Sequence, residues 1–336
     1  MRFRTRGECE IMKKDYSVSL IRLLATVMII VCHLFQYFDN DLHRWFDVGV
    51  QIFFCMSGYL YGKRMDGKED EILFYKKRFI KILTDYYVTI LIAMAVEAVF
   101  VPASLTKHSV IGSLILYSEL DGGGHLWYIP YILLCYLVTP LLIRYFSHLK
   151  KDGILFAGMA AVFIVNNMIN YTFANYFNPA WINCFIVGLF CGFCEKNSRG
   201  TVLKITKSCI FAAAAVLNAI QIYVEYFTEL QLEDVFLFYE VKTNAHAALG
   251  LALFFAGQWL FGKCRFGGFT KVLDWTDRFT YDVYLTHHFF IIGPLSLMEL
   301  TPYLPLNIVI ILAGVFLSSL LVYFVSGRIK KKLKVF

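Results

Sequence analysis

The chain alternates between long apolar runs and short stretches where Lys, Arg, Asp and Glu gather. Each run comes near the ~20 residues an α-helix needs to cross a hydrocarbon core. Read in order, they predict ten spans, over 18–38, 46–62, 81–101, 125–147, 153–170, 179–195, 207–227, 241–262, 279–298 and 305–327. The second and sixth are short and need neighbours to hold them. Ser109 to Tyr117 is too short to span and reads as an interfacial helix. The pattern predicts an all-α polytopic membrane protein, a bundle of about ten transmembrane helices. A lead-in covers 1–17, a single ten-helix membrane domain 18–327 and a basic tail 328–336.

Composition narrows this further. Charged residues make up 17% of the chain, against about 25% in soluble domains, so no part reads as a soluble domain able to fold alone. The 32 Phe and 21 Tyr suit lipid-facing helices with interfacial aromatic belts. The net charge of +7 does not signal nucleic acid. The basic residues punctuate apolar segments and form no contiguous patch.

Orientation follows from Lys and Arg in the loops. With the N-terminus in the cytoplasm, only Arg44, Lys107 and Lys242 of the 32 basic residues fall outside. Both termini then lie in the cytoplasm. The segment Met1 to Ser19 reads as a cytoplasmic lead-in to a retained helix, and Met12 is an alternative start. The loop between spans seven and eight is acidic, with Glu229, Glu233, Asp234 and Glu240. Lys63, Arg64, Lys68, Lys76, Lys77, Arg78 and Lys81 crowd the inner loop after span two. Anionic membrane lipid accounts for such a loop, and so does a polyanionic ligand. The nine cysteines, Cys9 among them, lie in apolar segments or basic loops. None lies in a predicted outer loop, so structural disulfides are not expected. Cys191-Gly-Phe-Cys194 has redox or metal spacing, but no second pair or histidine cluster completes it. It reads as packing, with no metal site expected.

Arg22 and His33 lie inside the first span. Eleven residues make three helical turns plus about 20°, so both side chains point the same way, about 16 Å apart along the axis. Intramembrane ionisable groups are candidates for function. Two plainer readings stand beside that: Arg22 snorkelling to the inner headgroups, and His33 as a hydrogen-bonded core histidine. Asp121-Gly-Gly-Gly-His125-Leu-Trp127-Tyr128 leads into span four, where three glycines permit a tight turn. Asn166, Asn167, Asn170, Asn183, Asn244 and His246 also fall toward the outer face. They suit a carbohydrate hydroxyl array and an interhelical hydrogen-bond seam equally.

These residues resemble the acyltransferase family 3 membrane proteins. Arg22 and His33 match its Arg-x10-His signature, and Gly49-Val-Gln-Ile-Phe53-Phe54-Cys-Met-Ser57-Gly58-Tyr is similar to a second-span stretch of the family. Arg78-Phe-Ile-Lys81 stands in the place of Arg-x-x-Arg. His125-Leu-Trp127-Tyr128 follows, and then Tyr281-Asp-Val-Tyr284-Leu-Thr-His287. Gln51, Lys81 and Thr84 depart from the pattern, and Lys at position 81 keeps the charge while losing bidentate recognition.

The resemblance implies transfer of an acyl group, commonly acetyl, from cytoplasmic acyl-CoA to a hydroxyl of a cell-surface or lipid-linked glycan. It also implies a multi-pass protein of the plasma membrane, the bacterial cytoplasmic membrane in this reading. Arg78, Lys81 and Arg22 would hold the donor. His33 would act as base or acyl carrier, and His125 is a second candidate base. Ser57, His125, Trp127, Tyr128 and His287 would line the acceptor pocket, with structural roles equally open for His125 and His287. The competing class is a glycan exporter or flippase-like component. The intact Arg22–His33 pair and a Ser57-Gly58 turn argue against a decayed site.

Overall fold

The computed structural model describes residues 14–117, 119–172, 178–228 and 236–333. Cys9, Met12, the acidic residues Glu229, Glu233 and Asp234, and the side chains of Asn170 and Glu240 lie outside the described residues. Among those described, every regular element is helical. The long helices are α1 (Tyr16–Tyr37), α3 (Val48–Arg64), α4 (Glu71–Phe100), α6 (Tyr128–His148), α7 (Asp152–Thr172), α8 (Pro179–Lys196), α9 (Gly200–Phe227), α10 (Phe236–Phe261), α11 (Phe269–Ile291) and α12 (Leu304–Lys332). Two short helices, α2 (His43–Phe46) and α5 (Lys107–Leu114), lie between them. Among the described residues, six helical segments are long and apolar enough to cross a membrane: α1, α4, Gly124–His148, Asp152–Ile169, α9 and α12.

Capping residues start the helices where the sequence turns polar. The Asp15 carboxylate accepts from Ser17 N at 3.0 Å, Asp70 from Leu73 N at 3.1 Å, and Asn178 from Ala180 N at 3.0 Å. Each satisfies an amide the helix leaves free. The expected interfacial segment is helical over Lys107–Leu114. Its last turn is tied to α4 by the Tyr86 and Tyr87 hydroxyls, which donate to Ser113 O and Leu114 O.

The two short spans hold each other. A Cβ on Gly58 or Gly62 of α3 would lie 2.0 Å from the Phe185 or Leu189 carbonyl of α8. A Cβ on Gly188 or Gly192 would lie 2.2 Å from the Cys55 or Tyr59 carbonyl of α3. Glycines four apart on both helices thus let the backbones touch, as small-residue motifs do in membranes. Ser57-Gly58 is therefore mid-helix rather than a turn. Cys191 and Cys194 are free and buried, on the α8 helix that Gly192 brings against α3.

Helix ends differ from the apolar runs in two places that matter. The ninth span, expected over 279–298, begins at Phe269 because an amphipathic turn carrying Asp274 and Asp277 continues the helix toward α1. It stops at Ile291, ahead of Gly293 at φ +102° and Pro294. Proline disfavours helical geometry in the residue before it. The tenth span continues to Lys332, so Lys330 belongs to α12 and ion-pairs with the buried Asp85 of α4.

Candidate functional site

A cavity of about 300 Å³ lies between α1, α3, α4, α6 and α11. Its lining includes four cations, Arg22, Arg64, Arg78 and Lys81, and one acid, Asp277. Tyr61, Tyr128, Tyr136, Tyr281 and Tyr284 supply most of the remaining polar wall, with Ser57. Several charges at this end of the bundle are paired. Lys63 meets Glu195 at 2.7 Å, Arg144 meets Glu71 at 2.6 Å, Arg199 meets Asp152 at 2.8 Å, and Lys196 pairs with Asp66. Arg22 pairs with Asp277 at 2.7 Å. Outside the apolar segments, burial opposes the charge on Lys14, but its bonds to Asp274 and Asp277 outweigh this and hold the amine above its ordinary pKa.

Arg64, Arg78 and Lys81 are the lining cations that have no ion pair. Among the described residues, no carboxylate lies within ion-pair distance of any of them. The Arg78 guanidinium sits 5.1 Å above the Tyr61 ring, and its buried Nε has no hydrogen-bond partner. Three cations without counter-ions around one cavity set up a positive potential there. Lys330 contributes indirectly, because it neutralises Asp85, the acid one turn beyond Lys81.

A second constellation stands further along α1. His33 packs against His287 at 5.1 Å and edge-on to His288 at 4.4 Å between ring centroids. His125 lies 5.1 Å from His287 and stacks on His288 at 4.8 Å. His125 comes from the short 3-10 turn Gly124–Trp127. Gly122, at φ +76°, shapes the preceding bend and packs directly on Gly293.

One nitrogen of each ring faces an oxygen. His33 Nδ1 meets Gln36 Oε1 at 2.8 Å, His125 Nε2 meets Leu285 O at 3.1 Å, His287 Nδ1 meets Tyr284 O at 2.7 Å, and His288 Nδ1 meets Gly122 O at 2.6 Å. A carbonyl oxygen only accepts, so the proton sits on that nitrogen and the other nitrogen of the neutral ring presents a lone pair. His125 Nδ1 and His287 Nε2 are buried with no partner. Among the described residues, no group of His, Cys, Asp or Glu has the arrangement to hold a metal ion.

The cavity and the histidines are neighbours with a shared wall. His33 does not line the cavity, but Ile29, one turn before it on α1, does. Tyr284 lines the cavity, and its ring lies 5.5 Å from His125 and 5.8 Å from His287. Its hydroxyl donates to the His125 carbonyl. Tyr128 stands beside it at 5.0 Å.

A family model described as an acyltransferase domain matches residues 15–326 of the 336. The chain belongs to acyltransferase family 3. No curated protein and no solved structure matches it. The fold and the family together make this a membrane acyltransferase.

The acyltransferase gathers the sequence candidates into two groups. Arg22, Ser57, Arg78, Lys81 and Tyr128 line the cavity, and His33, His125 and His287 meet in the histidine cluster. Trp127 joins neither, and stacks on Trp181 at 3.8 Å beside Tyr131. Gln51, a departure from the family pattern, packs against Gly250 of α10, away from the cavity lining. The amides expected toward the outer face also divide. Asn166 and Asn167 bond to Asn183, which makes an α7–α8 seam, and His246 faces Asp47 and Gln221. Sequence reading placed Arg64 only within the basic crowd after span two, and did not single out Asp277 or His288. Asp277 lay in a predicted loop, although an acid eleven residues before a histidine repeats the Arg22–His33 spacing.

Proposed function

We propose that this acyltransferase moves an acyl group, acetyl as the expected case, from cytoplasmic acyl-CoA to a hydroxyl of a cell-surface or lipid-linked glycan. The observation that carries the donor assignment is the unpaired trio Arg64, Arg78 and Lys81 around the cavity. Coenzyme A brings phosphates, and charge-assisted hydrogen bonds from Arg and Lys are their natural partners. At about 300 Å³ the cavity suits the acyl-pantetheine end of the donor. The phosphates would lie at the cations, with Arg64 and Lys81 exposed toward solvent. In this reading ten helices cross the plasma membrane, both termini face the cytoplasm, and the donor enters from the basic side.

His33 is the proposed base. With Nδ1–H held by Gln36, Nε2 is free to take the proton of the acceptor hydroxyl. The hydroxyl oxygen then attacks the thioester carbonyl, the C–S bond breaks, and the departing thiolate takes the proton as the free thiol. In the two-step variant His33 Nε2 attacks the thioester carbonyl first, the C–S bond breaks and the thiolate leaves; the acceptor hydroxyl then displaces the imidazole from the acyl-imidazole, and its proton ends on the thiolate as the free thiol. The open lone pairs of His125 and His287 favour a hydroxyl acceptor, because they can receive hydrogen bonds from it.

Mass spectrometry of surface glycans from cells with and without the gene tests the reading. The expected result is one acyl mass per modified sugar, lost with the gene. Identical glycans in both strains, or glycan translocation that proceeds without acyl-CoA turnover, would overturn it.

A further inference from the structure

Two helices run parallel through the site and carry matching spacings. Arg22 of α1 pairs with Asp277 of α11 at 2.7 Å, and eleven residues later His33 of α1 meets His288 of α11, eleven residues after Asp277. Eleven residues are about three turns, so each helix presents the same face again at both levels. Two further contacts keep the order: Tyr16 donates to Asp274 at 3.2 Å, and Ser19 to Asp277 at 2.6 Å. The Arg-x10-His signature of α1 therefore faces an Asp-x10-His sequence on α11, in register.

Both α11 residues are held on more than one side. The Asp277 carboxylate accepts from Arg22 and Ser19 and pairs with Lys14 at 2.7 Å, while lining the cavity. The His288 ring is fixed by its bond to Gly122 O and by stacking on His125. A slide of α1 past α11 by one turn, about 5.4 Å, would break the ion pair and the ring contact together.

We propose that Asp277 and His288 are positioning residues for acyl transfer. Asp277 sets the Arg22 guanidinium at the wall of the donor cavity, His288 sets the plane of His33, and one helix register serves both. This rests on the proposed function, in which the cavity takes the donor and His33 carries the chemistry.

The test uses the full chain in native membranes, with radiolabelled acetyl-CoA as the donor probe. The readout is label retained by the membrane glycan fraction, normalised to folded protein. Asp277→Asn is expected to raise KM for acetyl-CoA on the order of tenfold, the loss of one charge-assisted contact. Asp277→Glu should recover much of it. His288→Asn is expected to lower kcat on the order of tenfold with KM unchanged, as for a misplaced reacting group. Wild-type kinetics in Asp277→Asn and His288→Asn, or equal loss in both parameters from both variants, would overturn the proposal. His33→Ala is run beside them. If it transfers label like wild type, the proposed function itself fails. If it is inactive while the two α11 variants behave as wild type, only the register inference fails.

Discussion

The cavity and the histidine cluster share α1 and α11 but are built on opposite principles. Around the cavity, charge is left unneutralised: among the described residues, Arg64, Arg78 and Lys81 have no carboxylate within ion-pair distance, while Lys63, Lys196 and Lys330 each have one. In the histidine cluster four imidazoles lie in a chain of contacts only 4.4 to 5.1 Å apart. Each ring there is locked by an oxygen on one nitrogen and open on the other. Under the proposed function the cationic cavity takes the charged donor and the oriented lone pairs take the proton, with Tyr284 lying beside both.

The largest expected effect separates these two tasks. His33→Ala should lower acyl transfer by about 10²–10⁴-fold, the range for loss of a general base, in single-turnover assays with acetyl-CoA. Transfer at the wild-type rate by a normally inserted His33→Ala protein would erase the distinction. Next comes the support of the cationic cavity. Lys330→Ala strands the buried Asp85 carboxylate, and removing one partner of a buried pair costs about 3–5 kcal/mol. A lower thermal midpoint in detergent should show it, with recovery in the Lys330→Ala, Asp85→Asn double variant. A double variant as unstable as the single one would mean that Lys330 acts by packing alone. The smallest effect sharpens the boundary of the site. Trp127→Leu removes a ring stacked on Trp181, outside the cavity lining. Its acetyl-CoA affinity should match wild type, and a large loss would extend the donor site toward α8.

Much of the helical plan was legible because apolar runs and caps are local signals. Arg22 and His33 stood out because ionisable groups inside an apolar run are costly. What escaped was what depends on the opposite helix. Asp277 looked like loop because its turn is polar on one side, and only the packing of α11 on α1 shows that side meeting Arg22. Arg64 was one basic residue in a crowd; it lines the cavity, whereas Lys63 beside it pairs with Glu195. Gly58 read as a turn residue because a glycine that bends the chain and one that lets two backbones touch are the same letter. Its partner glycines on α8 were needed to tell them apart. Lys330 read as tail because its acid, Asp85, lies on the distant α4.

The division of labour is tested most directly by titrating acetyl-CoA against three forms of the full chain in nanodiscs: wild type, His33→Ala and the Arg78→Ala, Lys81→Ala double variant. Two lost charged hydrogen bonds should weaken binding on the order of 100-fold or more. The account predicts wild-type affinity for His33→Ala and that loss for the double variant. Equal affinity in all three, or loss in His33→Ala as deep as in the double variant, would contradict it.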